Sequence, residues 1–61
     1  MSDSKGFKDM AKALRKAGDI AENIANVMDD ISLTSDEKEA KEEQLLGKFM
    51  VQMMKLQALK L

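Results

Sequence analysis

Carboxylates at helical spacing are the residues of this chain that come closest to a reactive site. Glu39 and Glu42 stand three residues apart and Glu43 follows directly, so on a helix they lie near one another. Two such carboxylates can bind a cation, or act as acid and base in proton transfer. The chain has no His and no Cys, however, and so lacks the usual nucleophile–base pairs and zinc ligands. We interpret the glutamates as a solvated acidic face.

A second acidic group surrounds the middle of the chain. Asp29, Asp30 and Asp36 could surround a calcium ion, but the spacing of an EF-hand loop and its glycine are absent. The three glycines lie far apart, so no glycine-rich phosphate loop is present. The sequence therefore predicts no catalytic, cofactor-binding or metal site, and a protein that is not an enzyme.

Basic residues give the third candidate chemistry. Lys5, Lys8, Lys12 and then Arg15 or Lys16 recur at helical spacing and could contact phosphates. The chain has neither Tyr nor Trp for base stacking, and its formal net charge is only −1, which excludes a strongly basic tail. A regulator that binds nucleic acid through this basic face of the first helix is retained as an alternative.

The elements that position these residues are divided by the stretch from Ile31 to Glu37. Thr34 and Glu37 have the spacing of a capping box. In this motif the threonine hydroxyl accepts from the backbone N–H of the glutamate, and the glutamate carboxylate accepts from the backbone N–H of the threonine. The pattern marks the start of a helix. It predicts one domain over residues 1–61, with helix one at about 5–31, a turn at about 32–34 and helix two at about 35–60.

Helix one carries an apolar heptad seam, whose residues are three and four apart in strict alternation. Further apolar residues widen this seam to the broad stripe of a bundle helix. The seam comprises Phe7, Met10, Leu14, Ala17, Ala21, Ile24, Met28 and Ile31, and the widening residues are Ala11, Ala13, Ile20, Ala25 and Val27.

Helix two is polar in its first half and apolar over more than one face in its second half, residues 45–61. In a simple hairpin the end of each helix that is rich in apolar residues would lie beside the end of the other helix that has few. A chain of 61 residues buries proportionately little surface. The apolar surplus therefore predicts a partner.

Charge supports the same interpretation. Residues 1–18 carry a net charge of +3, residues 19–43 carry −7 and residues 44–61 carry +3. Two hairpins packed antiparallel would place opposite charges together. The predicted fold is therefore all-α, a two-helix antiparallel hairpin that pairs with a second one into a four-helix bundle. The residues expected at the partner or oligomer interface are Ile24, Met28, Ile31, Leu45, Leu46, Phe49, Met50, Met53 and Leu56.

The stretch LTSDEKEAKEEQLLGKFMVQMMKLQALKL, residues 33–61, resembles small helical proteins encoded in bacteriophage and prophage structural or assembly gene clusters. The resemblance covers about half of the chain and rests on an acidic, capped helix start that runs into a Leu/Met-rich end. It implies a small assembly factor, chaperone or regulator.

The function predicted from the sequence is protein–protein interaction through the Leu/Met-rich second helix, as an adaptor or assembly factor. The expected partner is a second copy, another protein, or both. No apolar run of 18 residues is present, so we expect no membrane span and a cytoplasmic protein. Besides the nucleic-acid alternative, a protein that lies on a membrane surface through residues 45–61 is a further alternative.

Overall fold

Two helices form nearly all of the chain. The computed structural model describes residues 3–59, in which helix α1 spans Asp3–Asp29 and helix α2 spans Ser35–Ala58. They pack against each other as an antiparallel hairpin of 50 × 14 × 8 Å, and no strand occurs in this part of the chain. The all-α, two-helix prediction is confirmed.

The start of α2 is held by the predicted capping box. The Glu37 backbone N–H donates to Thr34 Oγ1 at 3.1 Å, and the Thr34 N–H donates to Glu37 Oε1 at 2.9 Å. Thr34 itself has extended backbone angles, so the first turn of α2 begins at the next residue. Asp36 and Glu37 then place negative charge in that turn, where the helix dipole favours it. This prediction is confirmed.

Helix α1 ends at Asp29, two residues before the predicted Ile31. Asp30 Oδ1 accepts hydrogen bonds from the Ser32 N–H at 2.9 Å and from Ser32 Oγ at 2.6 Å. In a continued helix the Ser32 N–H would donate to the Met28 carbonyl, four residues earlier. The Asp30 side chain accepts from this N–H instead, so the helix does not continue. The last turn of α1 contains no basic residue, but Lys38 of α2 donates to the Met28 carbonyl at 3.0 Å. The cation that stabilises this terminus therefore comes from the other helix.

Helix α2 ends at Ala58, where the Leu59 N–H turns back to the Leu56 carbonyl at 3.3 Å. The predicted end at residue 60 lies outside the described residues.

The helices meet along a seam. On each helix, the residues of this seam are alternately three and four positions apart. On α1 the buried members are Ala13 and Ala17. The half-buried members are Gly6, Met10, Ile20, Ile24 and Val27 on α1, Lys38, Glu42, Leu45, Phe49 and Leu56 on α2, and Leu59 directly after α2; Gln52 of α2 is buried among them.

This seam differs in part from the one predicted for α1. The two share Met10, Ala17 and Ile24, but the other predicted members are exposed: Phe7, Leu14, Ala21, Met28 and Ile31. Helix α1 carries two overlapping heptad patterns, and only one can face α2. The pattern that includes Ile20 and Val27 does so, which leaves the other on an open side.

Gly18 and Gly47 would lie level in a hairpin folded about the turn, but they do not bring α1 and α2 together. A methyl group built on either glycine meets nothing within 4 Å. Both glycines therefore face open space in the hairpin.

Candidate functional site

The two long sides of the hairpin differ in chemistry. Residues that directly precede a seam residue line one shared depression, with members from both helices. These positions therefore share one side of the hairpin, which we call the lysine side. Residues that directly follow a seam residue lie on the opposite side of both helices, because the helices are antiparallel.

This opposite side, which we call the apolar side, is built from both helices. Its residues nearest the turn on α2, Glu39 and Glu43, are acidic, and Gln57 is polar; the remainder is apolar or small. Those residues are Phe7, Ala11, Leu14, Gly18, Ala21, Ala25 and Met28 of α1, and Leu46, Met50 and Met53 of α2.

Large side chains on the apolar side are open to solvent. Phe7 and Met28 are each 59% exposed and Met50 is 63% exposed. Leu14 and Leu46 are exposed as well, and Ile31 at the turn is 98% exposed. A continuous apolar surface on a small protein marks an interaction site more often than isolated exposed residues do.

The hairpin alone buries little. Ala13 and Ala17 are the only buried hydrophobic residues in the described part of the chain, and no large side chain there is fully buried. The accessible surface is 4915 Å², against about 4,000 Å² for a compact monomer of 6.8 kDa. The radius of gyration is 14.6 Å, against about 10.5 Å for a compact domain of this length. The excess surface of about 900 Å² therefore reflects an elongated hairpin with little interior.

The lysine side contains a solvent-open depression with a cavity volume of about 340 Å³. Gln52 is only 8% exposed there, and its Oε1 has no hydrogen-bond partner. Asp9 is paired with Lys5 at 3.2 Å, which leaves the depression with a surplus of positive charge. Its lining comprises Asp9, Lys12, Ala13, Lys16, Gln52, Lys55, Ala58 and Leu59.

The turn carries two carboxyl groups, those of Asp30 and Glu37, with displaced pKa values. Hydrogen bonds from the Ser32 hydroxyl and N–H lower the pKa of Asp30 below its ordinary value. Hydrogen bonds from the Thr34 N–H and hydroxyl lower the pKa of Glu37 in the same way. Each shift reflects stabilisation of the charged form, and in both cases the bonds maintain the turn.

The residues predicted at the interface fall into two groups. Ile24, Leu45, Phe49, Met53 and Leu56 are half-buried, whereas Met28, Ile31, Leu46 and Met50 are exposed. Phe7 and Leu14 belong with the second group by exposure, and sequence reasoning did not include them in the interface. Their spacing of seven residues, continued by Ala21 and Met28, is the signal that indicates a separate stripe.

The acidic candidates remain dispersed. Among residues 3–59, no three carboxylates gather closely enough to hold a metal ion. Neither α1 nor α2, within the same residues, is long and apolar enough to cross a bilayer. No protein-family model matches this sequence, and no curated protein or solved structure is detectably similar to it.

Proposed function

We propose that this chain is a non-enzymatic protein–protein interaction module that docks through its apolar side. The observation that carries the proposal is the collection of exposed Phe, Leu and Met side chains from both helices on one side of the hairpin. Burying one such side chain stabilises a complex by roughly 1.5–3 kcal/mol before the costs of association.

The composition of the apolar side fits an adaptor or assembly factor. Three of its large residues are Met28, Met50 and Met53, and flexible thioether side chains adapt to partner surfaces of different shape. The resemblance of residues 33–61 to small phage and prophage assembly proteins points to the same role. We propose that the module acts in the cytoplasm, the location predicted from the sequence.

A photoreactive amino acid tests the docking surface directly. Placed at Met50, on the apolar side, it should form discrete adducts in the cells that make the protein. The matched control is the same group at Lys48, an exposed residue that directly precedes the seam residue Phe49 and therefore lies on the lysine side. Adducts at both positions, or at neither, would contradict docking through the apolar side.

Polyanion binding is a second candidate, favoured by the depression on the lysine side. It gathers Lys12, Lys16 and Lys55 from two helices around a surplus of positive charge, and phosphates bind such groups with strong salt dependence. A gel shift with duplex DNA or RNA should then weaken when Lys12 and Lys16 are changed to Gln. Binding at low salt that is unchanged in this variant would exclude the depression as the site.

A further inference from the structure

We infer that the occupant of the apolar side is a second copy of this chain, packed with its turn over the open end of the first. The inference rests on the proposed function and specifies the partner. It follows from three observations on the hairpin: the distribution of charge, the amount of uncovered surface, and the alternation of large and small residues on α1.

Charge selects the direction of packing. Residues 3–18 of α1 contain five basic and two acidic groups, whereas residues 19–29 contain three acidic groups and no basic one. Helix α2 has the reverse order, with five acidic and two basic groups in residues 35–43 and two lysines without an acid in residues 44–58. The turn end of the hairpin is thus acidic and the open end basic.

On the apolar side itself the charged residues are Glu39 and Glu43, both near the turn. Packing with the turns together would bring these like charges of both copies to one end, whereas turn over open end separates them and lays the acidic end of each hairpin over the basic end of the other.

Surface area is consistent with one further copy. The elongated hairpin exposes about 900 Å² more than a compact monomer of its mass, so uncovered surface is available for a second copy. A two-fold symmetric pair buries the same side of both hairpins, so no apolar side is left open.

Side-chain size on α1 determines the register. A two-fold axis between Gly18 and Ala21 places the small residues of both copies at the centre, where the α1 helices can approach closely. It also brings Ala11 of one copy level with Met28 of the other, and Leu14 level with Ala25. Each large residue therefore meets a small one, and Phe7 comes level with the turn that exposes Ile31.

Helix α2 contributes one central residue. Ala13 and Gln52 line the same depression, and Lys38 reaches the Met28 carbonyl, so the levels of the two helices are known at two points. Interpolation between them puts Leu46, an exposed leucine, beside the same axis. The two copies of Leu46 then meet at the centre of the four-helix bundle.

Two glycine substitutions test the packing. Gly18 and Gly47 both face open space in the single hairpin, so Gly18→Leu and Gly47→Leu are both compatible with its fold. Sedimentation equilibrium of the purified wild-type chain should give a species of twice 6.8 kDa. Gly47→Leu should associate like the wild type, whereas Gly18→Leu should associate at least about tenfold more weakly, which corresponds to about 1.4 kcal/mol. Equal association of the two variants would overturn the central contact.

Cysteine pairing tests the direction. The chain has no Cys, so Ala11→Cys and Met28→Cys each introduce a single thiol. A mixture of the two variants in a thiol–disulfide buffer should form mainly the mixed disulfide. Disulfide formation mainly between two Met28→Cys chains would show that the turns lie together, and would overturn the proposed arrangement.

The outcome also separates this inference from the proposed function. A wild-type chain that remains at 6.8 kDa at high micromolar concentration would exclude the second copy as the occupant. If the probe at Met50 still forms an adduct with a different protein, the docking function stands without self-association. If the chain is monomeric and the probe gives no adduct, both proposals fail.

Discussion

The turn end and the open end of the hairpin are held together in different ways. At the turn, Thr34, Glu37, Asp30 and Ser32 form a set of short-range hydrogen bonds, and Lys38 caps the end of α1. Toward the open end, the hairpin instead depends on close packing around Ala13, Ala17 and a buried Gln52 without an Oε1 partner.

The difference shows where each kind of stabilisation acts. Hydrogen bonds at the turn satisfy backbone groups that every helix terminus leaves open, so they define where the helices begin and end. They bury almost no apolar surface: Met28 and Ile31, close by, are exposed. Packing near Ala17 defines which sides of the helices face each other. We expect substitutions in the packed region to change stability more than substitutions at the turn.

The largest effect is expected for Ala17→Asp, which puts an unpaired charge into the seam. Ala17 is only 5% exposed, and an uncompensated buried charge costs about 3–5 kcal/mol. Thermal unfolding followed by circular dichroism should show a chain that is largely unfolded at 25 °C. Ala40→Asp, at an exposed position of α2, should change stability only by tenths of a kcal/mol. Similar losses from both variants would show that Ala17 does not lie in a packed seam.

Gln52→Leu should stabilise the hairpin. The buried Oε1 of Gln52 has no hydrogen-bond partner, and such a group costs about 1–3 kcal/mol. Leucine has a similar volume and removes that cost, so the urea midpoint should rise. Gln57→Leu, at an exposed position, is the control and should leave the midpoint nearly unchanged. A lower midpoint for Gln52→Leu would mean that the amide has a partner in solution.

Thr34→Ala should destabilise the turn end by about 0.5–2 kcal/mol, the usual cost of losing an N-cap side chain. The variant removes the hydroxyl that accepts from the Glu37 N–H. Ser35→Ala changes the adjacent hydroxyl, which is outside the capping box, and should have a smaller effect. Urea titration of both variants gives the comparison, and equal losses would remove the special role of Thr34.

Lys38→Met tests the cap at the end of α1. Methionine keeps much of the aliphatic stem but loses the ammonium group that donates to the Met28 carbonyl. A cation at a helix C-terminus contributes about 0.3–1 kcal/mol at low ionic strength, so stability should fall by that amount and the difference should shrink in salt. Lys48→Met, on an exposed lysine farther along α2 from the turn, is the control. A difference that does not change with salt would exclude an electrostatic cap.

Acid should weaken the turn through Glu37 and Asp30. Their pKa values are lower in the folded chain than in the unfolded chain, so their contribution is complete at neutral pH. It is lost as the pH falls below about 4 and through the lowered folded-state pKa values. Glu37→Gln cannot titrate and should reduce the slope of stability against pH in this acid range. An unchanged slope would show that Glu37 contributes no pH dependence.

The sequence by itself determined the local features of this protein. Thr34 and Glu37 stand at the spacing of a capping box, and the hydrogen bonds they form involve only neighbours in the chain. The heptad spacing of apolar residues from Phe7 to Ile31 likewise determined that the first element is an amphipathic helix, and the capping box marked the start of the second. Both signals act within a few residues, so no tertiary information is needed to interpret them.

Only the tertiary structure decided which side of α1 faces α2. Two heptad patterns overlap on α1 through Met10, Ala17 and Ile24, and sequence spacing cannot choose between them. Packing chose the pattern that includes Ala13, and this placed Phe7 and Leu14 on an open side. The Lys38 cap has the same origin, because its carbonyl partner is ten residues away and comes within reach only when the helices are antiparallel. Side-chain burial depends on both helices at once, and therefore no property of α1 alone could determine which of its residues are exposed.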